Sequence, residues 1–320
     1  MKNALVLGAT GGSGQAIVIE LLARGVNVVA FGRSEQKLRA VLEKYDVHGQ
    51  LSYKTGDVFH PHSIAEAAKD VDVIFQCANV NYQEMKDKLL PLGESVMTAA
   101  NELGKKIVIV DGIYVYGHQV AKGDENHPKH PHTKKGKIRV EFEKLIFSDR
   151  WENAKPLIVR LPDYYGPSSQ NAYLQPTLEG MADNKVSIFI GNLKTPREYI
   201  YLPDAAQMII NIAEHDDAYR ENWNIPGAGL ISGKEIIKIA REVTENHKMV
   251  IPLNQLAMSL IGRFDSFMRE VVEIMYLTKE GFVLSGEKYE QRIGPIQATP
   301  FREGLEETLH FLMSNRNKKS

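Results

Sequence analysis

Gly8, Gly11, Gly12 and Gly14 fall within the heptapeptide Gly8-Ala-Thr-Gly-Gly-Ser-Gly14, between an apolar run, Ala4 to Leu7, and a segment with Ile17, Leu21 and Leu22 at helical spacing. Glycines so placed let a backbone turn sharply and approach a phosphate, whose charge is met by the amides and dipole at the start of the following helix. Gly8, Thr10, Gly11, Gly12, Ser13 and Gly14 are therefore candidate contacts for a dinucleotide pyrophosphate. A second apolar run, Val26 to Phe31, ends without the acid that would accept from a ribose 2′-hydroxyl. Arg33 offers there a planar donor fork suited to a 2′-phosphate. The expected cofactor is NADP(H), with NAD(H) the alternative.

Other residue groupings could do chemistry of a different kind. His127, His130 and His132 put three imidazoles in six residues, a spacing that could ligate zinc or nickel. Prolines hold that loop extended and no cysteine or acid cluster accompanies it, so a solvated loop and no metal is the expectation. Met258, Phe264, Phe267, Met268 and Met275 could line an apolar pocket, although a stripe at helical spacing more often packs as core.

The elements that must position the glycine loop are legible as an alternation. Strand-like runs at Ala4–Leu7, Val26–Phe31, Leu51–Lys54, Val71–Phe75 and Ile107–Val110 are separated by helical patterns at Gln15–Arg24, Glu35–Tyr45 and Ser63–Lys69. Continuously apolar strands separated by helices predict an α/β fold, a doubly wound parallel sheet covered on both faces. After about residue 165 the rhythm breaks. The expected division is a Rossmann domain over 1–167, rejoined by about 199–225, and a smaller C-terminal α/β cap from 168–198 and 226–314. A helical stretch is expected over Leu256–Leu277, and a flexible tail over 315–320.

Bulk properties exclude several function classes. The 320 residues are 43% apolar and 25% charged, with a formal net charge of −1. That balance argues against a nucleic-acid or polybasic membrane-surface partner. Cys77 is the single cysteine, so no intramolecular disulfide can form. No apolar run approaches the roughly 18 residues that would span a bilayer, and a cytoplasmic enzyme acting on a small molecule is the expectation.

With this loop, a set of further motifs resembles the extended short-chain dehydrogenases/reductases, the NAD-dependent epimerase/dehydratase family, over nearly the whole chain. Gly56-Asp57-Val58 resembles the family's acidic adenine contact, and Val73 to Ala78 its fourth strand and ribose-side turn. Val115-Tyr116-Gly117, Arg160-Leu-Pro162, Tyr165-Gly166-Pro167 and Arg197 to Asp204 match later segments in order, and Pro300 to Phe311 resembles the closing helix. The resemblance implies cofactor contacts at Asp57, Val58, Ala78 and Lys137. It implies substrate contacts at Arg197, which resembles the arginine gripping pyrophosphate in sugar-nucleotide members, and at Asn171. It also implies a homodimer through the helices around Glu84–Leu103 and Lys134–Phe147.

The family's catalytic centre joins a Ser or Thr to a Tyr-x-x-x-Lys pair, and here the resemblance breaks. Lys137 is in place, but Thr133 stands where the tyrosine belongs, and Gly112, preceded by Asp111, stands where the serine belongs. A threonine hydroxyl is too weak an acid to replace a phenol, and losing a positioned general acid costs about 10²–10⁴ in rate. Lys137, Thr133, Tyr116, Asp111 and Tyr164 are the catalytic candidates, with Tyr114 and His132 as further replacement acids. Two readings stay open: an atypical oxidoreductase or epimerase/dehydratase acting on a small carbonyl or sugar-nucleotide-like substrate, and a non-catalytic NADP(H)-binding regulatory or structural protein.

Overall fold

The computed structural model describes residues 1–118, 122–170, 173–261, 263, 266–279 and 281–316. Six strands build most of its central sheet: β1 (Asn3–Leu7), β2 (Asn27–Gly32), β3 (Leu51–Thr55), β4 (Val73–Gln76), β5 (Lys106–Gly112) and β6 (Lys155–Leu161). Beyond them come β7 (Asp163–Tyr165), β8 (Ser187–Ile190), β9 (Pro196–Tyr201), β10 (Asn222–Asn224), β11 (Leu230–Ser232) and β12 (Val250–Leu253). The large sheet runs β10-β6-β5-β4-β1-β2-β3. Its pairings are all parallel. The order reverses between β1 and β4, and the crevice above such a switch point is where open α/β sheets bind ligands.

Helices cover both faces, as doubly wound sheets require. The first five are α1 (Gly12–Ala23), α2 (Glu35–Leu42), α3 (Pro61–Ala68), α4 (Met85–Glu102) and α5 (Lys134–Ile146). The rest are α6 (Gln175–Ala182), α7 (Leu202–Glu214), α8 (Gly233–Thr244), α9 (Gln255–Ile261), α10 (Ser266–Ile274), α11 (Glu287–Arg292) and α12 (Phe301–Arg316). On one face α1, α2 and α7 bury Ile17, Leu21, Leu38, Ile209 and Ile212 with Trp223 of β10. On the other, α3, α4 and α5 bury Ile64, Leu89, Val96, Phe142 and Ile146. α4 and α5 meet closely at Gly93, where a Cβ would come within 2.7 Å of the Phe142 ring.

The remaining strands form a three-stranded sheet, β11-β9-β7, and a two-stranded one, β12-β8. The stretch expected as one helix over Leu256–Leu277 divides into α9, α10 and a 3₁₀ turn at Met275–Thr278. Met258 and Met275 are buried with Tyr173, Ile190 and Val271, so they pack as core. Phe264 and residues 317–320 of the tail lie outside the described residues. Among the described residues no helix is long and apolar enough to cross a membrane, and no cluster of three metal-ligating groups occurs.

Candidate functional site

A cleft of about 810 Å³ runs along the carboxyl ends of β1, β2, β4 and β5, from the glycine loop at one end to the 3₁₀ turn after β5 at the other. A smaller hollow of about 450 Å³ lies elsewhere, on the outer face of α8, and no glycine loop borders it.

At the loop end the backbone geometry explains the glycines. Gly8 has φ +75°, and a Cβ on it would lie 2.6 Å from the backbone of Ala78, so only glycine lets β1 turn against the strap after β4. A Cβ on Gly14 would strike the Gly8 carbonyl at 2.3 Å. Gly11 caps α1 without a side-chain acceptor, so the first-turn amides are left to whatever enters the cleft. The segment after β7 clasps the loop: Ser168 Oγ donates to the Gly12 carbonyl at 3.0 Å, and Gln170 Nε2 donates to the Thr10 carbonyl at 2.9 Å. Gly8, Thr10, Gly11, Gly12, Ser13, Arg33, Asp57, Val58 and Ala78 all line the cleft. Gly14 stands just behind the loop. Arg33 is exposed and makes no ion pair among the described residues, while an Asp57 oxygen accepts from the Phe59 amide at 3.0 Å.

The inner end is built from tyrosines and paired charges. Asp111, at the end of β5, is buried and ion-paired with Arg139 of α5. Among the described residues its second oxygen has no hydrogen-bond partner, and it lies 4.0 Å from Arg160 Nε. Arg139 also reaches Asn79 at 3.4 Å. The ring of Tyr114 occupies the space over Gly112, where a Cβ would sit 3.0 Å from it. The Tyr114 and Tyr82 hydroxyls are 3.0 Å apart. Burial raises the Tyr114 phenol well above its ordinary value, raises Tyr82, and pushes Tyr164 up to about 12. Asp163, also in the lining, is ion-paired with the buried Arg197, which lies between the rings of Tyr173 and Tyr199.

The catalytic candidates thus separate. Asp111, Tyr164 and Tyr114 line the cleft. Thr133 does not: its hydroxyl accepts from the Gly136 amide at 3.0 Å and serves as the N-cap of α5. Tyr116 is fully buried outside the cleft, its hydroxyl donating to Asn224 at 2.8 Å and its ring against Phe282. His132 is exposed and stacks on His118. Lys137 is exposed on the outer side of α5 and is not in the lining. Asn171 lies outside the described residues.

The reason for Lys137's position is the face that α5 presents inward. Lys135, Gly136, Arg139, Phe142, Glu143 and Ile146 are its buried residues. Lys135 is anchored to α10 through Glu270 and Glu273, the latter at 2.7 Å, and its amide donates to Glu273 at 3.0 Å. That anchor turns residue 139 into the cleft and residue 137 outward. Arg139, Tyr82, Tyr173 and Asp163 were not among the residues singled out from sequence. Arg139 had a readable signal: stepping back from Ile146 and Phe142 by three or four residues reaches 139 and then 135.

The sequence profile described as "NAD dependent epimerase/dehydratase family" matches residues 4–226. Sterol-4-alpha-carboxylate 3-dehydrogenase, decarboxylating, from Dictyostelium discoideum is 24% identical over 185 residues, 52% of this chain. The chain spans about half of that relative's length (54%). Among solved structures, UDP-glucuronic acid 4-epimerase from Bacillus cereus superposes with a TM-score of 0.80 at 16% identity, covering 98% of this chain and 99% of that one. dTDP-glucose 4,6-dehydratase from Bacillus anthracis gives 0.79 at 17% identity, with 99% and 98% covered. UDP-glucose 4-epimerase from Thermotoga maritima gives 0.77 at 16%, with 99% and 100% covered. At these identities the likeness is one of fold.

Proposed function

The chain belongs to the NAD dependent epimerase/dehydratase family, and from that premise we propose that it is a nicotinamide-dinucleotide-dependent oxidoreductase that prefers NADP(H) and reduces a carbonyl group using a displaced acid. The observation that carries this reading is the single cleft joining an open glycine loop and Arg33 at one end to Tyr114, Tyr82 and Asp163 at the other. The loop end fits a dinucleotide: the backbone at Gly8 and Gly14 leaves no room for a Cβ, and the amides of α1 have no side-chain cap. Arg33 supplies a donor fork for a 2′-phosphate just after β2, which ends without the acid that would favour a free 2′-hydroxyl.

When bound, the dinucleotide supplies a hydride donor or acceptor at its nicotinamide ring. The chain's own residues supply the proton. Tyr114 donates its proton to the substrate oxygen as the hydride arrives, because the developing alkoxide is a stronger base than even a phenolate raised by burial. It is reprotonated across the 3.0 Å contact with Tyr82, which takes its own proton from solvent. Arg139, balanced by Asp111, lies 5.6 Å from the centre of the Tyr114 ring, and its charge lowers the neighbouring Tyr82 phenol against the rise from burial.

A second reading is favoured by one observation: Thr133 is committed to capping and Lys137 faces solvent, so the family's usual proton-handling positions do no chemistry. On that reading the chain binds NADP(H) without turning over a substrate. The shared cofactor claim is tested by thermal unfolding with each cofactor. NADPH should raise the melting temperature more than NADH, and equal shifts would contradict the role given to Arg33.

A further inference from the structure

We propose that the substrate end of the cleft takes an uncharged, ring-bearing carbonyl compound and rejects nucleotide diphosphates. This rests on the dinucleotide-dependent reading of the same cleft and names its substrate class. The starting observation is Arg197, the residue whose position in the sequence suggested a pyrophosphate contact. Its guanidinium is buried, and it is already ion-paired with the Asp163 carboxylate that lines the cleft. A pyrophosphate brought to Arg197 would meet Asp163 at the same place, and like charges juxtaposed in a partly buried site are strongly disfavoured.

The other charges of the lining are balanced in the same way. Arg139 is held by Asp111, and Lys88 by Glu84. Arg33, unpaired among the described residues, lies at the opposite end beside the glycine loop. Among the described lining residues, therefore, no uncompensated cation remains at the inner end to receive a diphosphate. Nor does the inner end lack a surface for something else. Tyr82, Tyr114, Tyr164 and Tyr173 present aromatic rings there, and Leu277 closes the wall. Aromatic faces favour a flat or fused-ring ligand through stacking and apolar burial.

One polar feature completes the fit. Among the described residues, Arg197 Nη1 is buried without a hydrogen-bond partner. Arg197 borders a small cavity that shares Ile113, Pro162, Asp163 and Leu277 with the cleft. A second, neutral oxygen on the ligand, such as an ether or hydroxyl apart from the carbonyl facing Tyr114, would satisfy that donor without adding charge beside Asp163.

The test is calorimetric titration of the full chain, saturated with NADP+ so that no hydride can pass to the ketone, with 2-tetralone and separately with UDP-glucose. The tetralone should bind at least about tenfold more tightly, the margin expected where a like charge opposes one of two ligands. Asp163→Asn should tighten UDP-glucose by about tenfold or more while moving 2-tetralone by less than about threefold, because it removes the opposing charge alone. Asp163→Glu keeps the charge and should keep the rejection, which covers the case in which the asparagine variant does not fold. Tighter binding of UDP-glucose than of 2-tetralone by the wild type would overturn the proposal, as would no binding of the tetralone. Failure of the dinucleotide-dependent reading is distinguishable, since the NADP+ saturation step itself would then register no binding.

Discussion

The Arg33 guanidinium stands in solvent at the mouth of the cleft, with no carboxylate paired to it among the described residues. A phosphate entering there gains a charge-assisted contact without displacing an existing one. Arg33→Ala should weaken NADPH by about tenfold to a hundredfold, the range of a hydrogen bond to a charged group, and leave NADH unchanged in a fluorescence titration. Arg139 differs because it is buried against Asp111. Arg139→Ala removes that carboxylate's close partner, leaving only Arg160 at 4.0 Å, and should cost about 3 kcal/mol of stability in a denaturant titration. Lys137→Ala, on the exposed side of the same helix, should stay within about 0.5 kcal/mol. A large loss at Lys137 with none at Arg139 would mean that α5 presents the other face.

At the scale of elements, α5 is where sequence and structure part most clearly. The strand-loop-helix unit around Gly8–Gly14 was legible because glycine geometry and apolar alternation both operate locally, and the structure repeats the expected strands to within a residue or two. The face of α5 was not. Ile138, Val140 and Leu145 scatter apolar residues around the helix, and the anchor that fixes its rotation, Lys135 on Glu270 and Glu273, joins residues more than 130 positions apart. Family spacing pointed to Thr133 and Lys137, whereas the tertiary ion pairs turn Arg139 inward. The Tyr114–Tyr82 and Asp163–Arg197 pairs were hidden for the same reason, since each joins different elements. Thr133 keeps a purely local task. Thr133→Ala should cost about 1 kcal/mol through loss of the cap, with NADPH affinity unchanged in the same titration.

For the whole molecule, an acid that links stability to pH near neutrality is buried outside the main cleft. Glu198 of β9 is 5% exposed, and burial pushes its carboxyl up to about 7 although the Leu284 and Gly227 amides both donate to it. Its folded pKa lies above the ordinary carboxylate value. Its contribution is therefore fully present below about pH 4.5 and is lost as the pH rises towards 7, by about 3 kcal/mol in total. Glu198→Gln should flatten the fall in stability between about pH 5 and 7, measured by urea unfolding across that range. A wild-type profile without that fall would contradict the assignment.

Proposed carbonyl reduction with Tyr114 as the proton donor is tested most directly by following deuterium from 4-deuterated NADPH to the carbinol carbon of a ring-ketone product by mass spectrometry, for the wild type and Tyr114→Phe. Transfer by the wild type, reduced about 10²- to 10⁴-fold in Tyr114→Phe with an unaltered NADPH-induced rise in melting temperature, is the predicted result. Transfer at an equal rate in both proteins, or none from the wild type while NADPH still binds, would contradict it.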